Sequence, residues 1–200
     1  MICGGGRNKE MLALITGGSG SGKSDYAERL VLSFNGAYRI YLATMSAASP
    51  EAASRIQRHR RMRRGKGFET IECTQNLYSI PPDKLEGADV LLEDLSNLIA
   101  GELFSSDGAS LDEDRFAQQG EAAFGEAFVS HLIGEILFVN SHARSLVIVM
   151  NEIFSDSCSY DPVTEAFRRI TGNLHCRIAE KADLVMEVTG GIVSIWKERG

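Results

Sequence analysis

Two short stretches hold side chains whose types and spacing can do chemistry. The first, GGSGSGKS (Gly17–Ser24), fits the pattern G-x-x-x-x-G-K-[ST] with Gly17, Gly22, Lys23 and Ser24 in register. A loop that wraps a phosphate chain must aim several backbone N–H groups inward. The angles this needs are open mainly to glycine, here Gly17, Gly18, Gly20 and Gly22, with Ser19 and Ser21 completing the loop. Lys23 then reaches the β- and γ-phosphates of a nucleoside triphosphate as a point charge, and the Ser24 hydroxyl ligates Mg²⁺ beside them. A helix following the loop adds its positive end to the same site.

The second stretch, RIQRHRRMRR (Arg55–Arg64), sets His59 among arginines, with Arg55 one turn before it and Arg63 one turn after it on the same helical face. Three chemistries fit. It is a solvated basic face, a nucleic-acid patch, or a nucleotidyl-transfer site in which nearby cations disfavour imidazolium and leave a neutral His59 as nucleophile. In the third case the same arginines, Arg55 and Arg58 among them, steady the attacked phosphate. The nucleic-acid reading is the weaker, because the stretch has no aromatic residue for base stacking.

The elements that must position these groups alternate. MLALIT (Met11–Thr16) reads as a strand leading into the loop, and Ala27, Leu30, Val31 and Phe34 mark one face of the helix after it. YRIYLAT is a second strand. Ser49-Pro50-Glu51 opens a helix running to about Arg64, with serine as cap and proline in the first turn. FETIEC (Phe68–Cys73) is a third strand, and Pro81-Pro82 marks a surface connection. DVLLED (Asp89–Asp94) is a short buried strand ending in carboxylates. Helices follow from about Ser96 to Phe104 and from about Ala122 to His142, separated by an acidic loop or insertion at about 105–121. SLVIVMNE is an apolar central strand. A helix opens at Asp161-Pro162, with Val163, Phe167, Ile170, Leu174 and Ile178 at helical spacing. The chain closes as a hairpin around Gly190-Gly191. The expected fold is α/β, a phosphate-loop NTPase-type, mostly parallel sheet with helices on both faces and a C-terminal antiparallel hairpin. Residues 1–10 read as a loose extension and 11–200 as a single nucleotide-binding domain.

Composition sets bounds on function. The chain has 200 residues and net charge −6, yet seven cations and no acid lie between Arg55 and Lys66, leaving 14 cations against 27 acids elsewhere. Positive charge is focused where an anion would be handled. The four cysteines form no C-x-x-C pair, which suits reduced thiols rather than a disulfide framework or zinc site. No apolar run reaches membrane-span length and no signal peptide is legible, so a cytoplasmic location is expected. His131, His142 and His175 read as structural.

Together these motifs resemble the bifunctional adenosylcobinamide kinase/adenosylcobinamide-phosphate guanylyltransferase family of cobalamin biosynthesis. The likeness runs from about Leu14 to Ile195 through TGGSGSGKSDYAE, YLAT, RIQRH, FETIEC, LLED with the following Asn97-Leu98, Asn151-Glu152, FRRITG and the closing Ala182-Asp183 and GGI segments. The resemblance implies phosphorylation of a corrinoid hydroxyl, then transfer of GMP from GTP through a guanylyl-histidine. By the same likeness His59 is the nucleophile, Lys23 and Ser24 carry over, and Glu93 is the carboxylate partner holding Mg²⁺ with Ser24, with Asp94 as a neighbour able to share that role. Mg²⁺, GTP and/or ATP, a small-molecule corrinoid and a homotrimer are implied; nucleic acid is not.

The chain departs from the family pattern at Gly20, where an arginine is usual, at Phe68 in place of tryptophan, over Ile153–Pro162 in place of a glycine-rich turn, and at His175-Cys176 in place of Asn-Gln. Two other functions fit the residues: a phosphate-loop small-molecule kinase without a covalent intermediate, and a nucleotide-binding relative that has lost catalysis.

Overall fold

The computed structural model describes residues 11–46, 50–104, 121–156 and 158–199. The expected N-terminal extension, the acidic loop and the capping role of Ser49 lie outside the described residues. Strands β1 (Met11–Gly17), β2 (Tyr38–Ala43), β3 (Phe68–Glu72), β4 (Ala88–Glu93), β5 (Ser145–Asn151), β6 (Leu184–Thr189) and β7 (Ile192–Glu198) form one sheet in the order β3-β2-β4-β5-β1-β6-β7. Every neighbouring pair is parallel except β6 and β7, which form the terminal hairpin. The central strands β1, β4 and β5 are buried almost end to end and mainly apolar because both faces are covered.

Helix α1 (Lys23–Ser33) packs Ala27 and Val31 against Ala13, Ile15, Val147 and Val149 on one face. On the other face Leu12, Leu14, Leu146 and Ile148 meet α4 (Leu95–Phe104), α5 (Glu121–His142) and α6 (Pro162–Lys181). Asp161 caps α6, its Oδ1 accepting from the amides of Val163 and Thr164 at 3.0 and 3.1 Å. Val163, expected on the apolar face of α6, is 39% exposed in the first turn of that helix. The connection around Pro81-Pro82 is more ordered than a plain loop, holding a 3₁₀ turn at Leu77–Ser79 and a short helix α3 (Pro82–Leu85).

Helix α2 (Pro50–Arg63) is rich in arginine, with Arg55, Arg58, Arg60, Arg61 and Arg63 in its sequence. Its C-terminal end is tied to the body by polar contacts. The Arg63 guanidinium lies 3.4 Å from the Tyr41 ring centre, Arg60 pairs with Glu72 of β3, and Lys66 pairs with Glu28 of α1.

Away from α2, α5 buries Glu135 completely, near Glu102 of α4, with His131 Nε2 3.4 Å away. Burial, reinforced by the charge of Glu102, pushes the Glu135 carboxyl from 4.5 up to about 7. The folded chain therefore retains a proton that the unfolded chain has lost, and stability falls as pH rises from about 4.5 to about 7. Glu135→Gln is expected to flatten that slope and to stabilise the protein at about pH 8 by on the order of 2 kcal/mol, read from urea midpoints on both sides of the window.

Candidate active site

The site is built at the carboxyl ends of the parallel strands, where β1 delivers the chain into the phosphate loop. The turn closes on itself: the Ser21 amide donates to Gly18 O at 3.2 Å and Lys23 Nζ donates to the same oxygen at 3.0 Å. Gly22, immediately before α1, has φ 95°, a conformation that side chains with a Cβ rarely adopt. Gly17 is required for a different reason, since a Cβ there would meet Val188 O at 2.4 Å. The hairpin braces the loop from below, the Gly191 amide donating to Ser21 O at 2.9 Å.

Facing the loop, β4 ends in Glu93, which is buried and accepts hydrogen bonds from the hydroxyls of Ser24 and Tyr41. Burial raises its carboxyl pKa above the usual range; those two hydrogen bonds pull the other way. Asp94 has a distinct job. Its Oδ1 accepts from the Asn97 amide at 2.8 Å at the start of α4, and its Oδ2 accepts from Asn151 Nδ2 at 2.8 Å, joining the ends of β4 and β5. The Ser24 hydroxyl beside a buried carboxylate is a hard-oxygen donor set of the kind Mg²⁺ takes with phosphate oxygens.

The opposing wall comes from α2. Ile56, Arg58 and Arg63 line the same cleft, of about 340 Å³, as Ser19–Asp25, Tyr41, Glu93 and Asn151. Arg63 is 7% exposed, and its charge partly offsets the burial of the Tyr41 hydroxyl, whose pKa is nevertheless raised. The cleft thus has a cationic wall, a glycine loop and a carboxylate floor.

Most of the residues expected from sequence converge here. Ser19, Gly20, Ser21, Gly22, Lys23, Ser24, Arg58 and Glu93 line the cleft. Gly17 and Gly18 stand behind it and shape the loop. Arg55 and His59 are carried by α2, the helix that supplies the cationic wall; their side chains lie outside the described set. Sequence reasoning missed Tyr41 and Asn97 as cleft residues, gave Asn151 no role, and set Arg63 on the His59 face without foreseeing its burial. His131 Nε2 lies 3.4 Å from Glu135 Oε1, His142 Nδ1 bonds the Phe138 carbonyl oxygen at 2.8 Å, and burial lowers the His175 pKa. None of the three lines the cleft.

A parallel sheet whose first strand runs into a glycine loop, with a helical lysine and serine facing a buried strand-end carboxylate, defines a phosphate-loop nucleotide-handling enzyme. Within that class the chain belongs to the cobinamide kinase / cobinamide phosphate guanyltransferase family, whose model matches residues 13–195. It is 31% identical over 183 residues to the bifunctional adenosylcobalamin biosynthesis protein CobU of Salmonella typhimurium, covering 91% of this chain and 97% of that protein. It is 30% identical to the protein of the same description from Escherichia coli, with the same coverage. Identity to the bifunctional adenosylcobalamin biosynthesis protein CobP of Pseudomonas aeruginosa is 32%, over 91% of this chain and 95% of that protein.

Proposed function

We propose that this chain phosphorylates adenosylcobinamide and then moves GMP from GTP onto the phosphorylated product, using one cleft for both nucleotide reactions. The observation that carries this reading is the shared wall: α2, which holds His59, borders the phosphate-loop cleft through Ile56, Arg58 and Arg63. In the kinase step the phosphate loop and Lys23 hold the triphosphate of ATP or GTP, and the γ-phosphate passes to the corrinoid hydroxyl. Ser24 and Glu93 would hold Mg²⁺, which when bound offsets charge on the phosphate oxygens.

In the second reaction a neutral His59 nitrogen attacks the α-phosphorus of GTP, and the bond to the pyrophosphate oxygen breaks. The other ring nitrogen releases its proton. The phosphate oxygen of the acceptor then attacks the same phosphorus, the P–N bond breaks, and its electron pair returns to an imidazole that regains a proton. Arg58, Arg55 and Arg63 stabilise the charge on the attacked phosphate.

A homotrimer in the cytoplasm belongs to the same proposal. Ile192, Ile195 and Trp196, 74%, 56% and 70% exposed on the edge strand β7, supply apolar surface for contact between copies.

The test is a two-stage assay. Adenosylcobinamide, Mg²⁺ and nucleotide are expected to give the phosphorylated corrinoid first, then its GDP-linked form with release of pyrophosphate. Formation of the first product without the second would contradict the transferase half of the reading.

A further inference from the structure

Arg63 faces two concavities. Beyond it, away from the phosphate loop, lies an open groove of about 630 Å³ between the end of α2 and β3, bordered by Arg60, Arg63, Arg64, Phe68, Thr70 and Glu72. Arg63 is nine-tenths buried, and its Nε is without a hydrogen-bond partner although its guanidinium is held against Tyr41. A buried donor left without a partner is costly unless a ligand meets it. Phe68 makes an edge contact with the same Tyr41 ring, centroids 6.2 Å apart, so the partition between cleft and groove is built from packed aromatic and guanidinium groups.

The charge of the groove specifies its ligand. Arg60 is occupied by Glu72, whereas Arg64 is exposed and makes no ion pair among the described residues. The last carbonyls of α2 would repel an anion, so binding depends on the guanidinium groups outweighing them. Paired guanidinium forks match phosphate oxygens. Three guanidinium groups beside one carboxylate, that of Glu72, suit a compact dianion, which points to a single terminal phosphate.

We infer that this groove is the subsite for the phosphate monoester of the acceptor, with Arg63 shared between that phosphate and the nucleotide on its other side. This rests on the proposed transfer reaction. Arg63 lies four residues after His59, about 6 Å along the helix, so a phosphate held there is one turn from the nucleophile-bearing residue.

The experiment is equilibrium dialysis of the full chain with adenosylcobinamide phosphate or adenosylcobinamide, followed by corrinoid absorbance. Arg64→Gln is expected to weaken binding of the phosphorylated corrinoid on the order of tenfold and leave the unphosphorylated one unchanged. Glu72→Gln frees Arg60 and is expected to tighten the phosphorylated ligand several-fold, an opposite shift that misfolding would not produce. Unchanged binding of the phosphorylated corrinoid in both variants overturns the subsite. Inorganic phosphate competing as well as the corrinoid ester at equal concentration overturns its assignment to the acceptor.

Labelling of the same preparations from GTP keeps the two inferences separable. Phosphate-selective binding that follows the arginines in protein that takes no label supports the groove and sinks the transfer mechanism. Labelled protein with arginine-independent binding does the reverse.

Discussion

Lys23→Ala is expected to lower kcat of the kinase reaction by roughly 10²–10³ at saturating nucleotide. The lysine is buried at the start of α1 with its ammonium group drawn across the loop onto Gly18 O. That oxygen keeps the Ser21 amide as a donor when the lysine is removed, so the turn survives. What is lost is a fixed positive charge beside the transferring phosphoryl group, an interaction that strengthens as charge moves onto the bridging oxygen. Arginine is not expected to rescue, because its planar fork cannot replace a compact point charge inside the loop. Steady-state phosphorylation of adenosylcobinamide, with a thermal melt to confirm folding, decides the matter; a fall of less than about threefold would remove Lys23 from the chemistry.

His59→Asn should have a larger and more selective effect. Guanylyl transfer is expected to drop by at least about a thousandfold, because asparagine has no nitrogen lone pair able to form the phosphoramidate. In the proposed mechanism the kinase step uses the phosphate loop and Glu93 rather than His59, so it is expected to stay within a few-fold of wild type. Pyrophosphate release and corrinoid phosphorylation, measured on one preparation, separate the two outcomes. Equal loss of both would mean that His59 serves α2 as a structural residue.

The parts of this architecture that announce themselves in the sequence are those with a strong local signal. The β1–loop–α1 unit is legible because the glycine pattern sits between an apolar run and a helical stripe. The structure keeps the order and extends the strand to Gly17. The hairpin follows from Gly190-Gly191 between two β-rich runs, and α6 from the Asp-Pro cap. The turn at Leu77–Ser79 and the short α3 escaped because elements of three or four residues carry no periodicity.

The site was legible in its chemistry and less so in its packing. Tyr41 reads as an ordinary strand aromatic, and only the three-dimensional arrangement brings its ring under Arg63 and its hydroxyl to Glu93. Arg63 is one of seven cations in its segment, and charge alone cannot tell a buried guanidinium from its solvated neighbours. Its position four residues after His59 was the available clue. Asn151 closes an apolar strand with a polar residue, the usual mark of a strand end at a ligand-facing edge. Its bond to Asp94, with that of the Asn97 amide, ties this cleft-lining carboxylate to the ends of α4 and β5. Within residues 153–162, described side chains make contacts of their own. The Arg168 guanidinium lies over the Tyr160 ring, and Tyr160 bonds Asp156.

The central claim is that His59 carries GMP covalently. The most direct measurement incubates the protein with Mg²⁺ and GTP labelled at the α-phosphate, then examines the denatured chain for label that acid removes and alkali spares. Label on wild type that is absent from His59→Ala is the predicted result. Wild-type protein that binds GTP but takes up no label, or a His59→Ala variant that labels equally, would contradict the account.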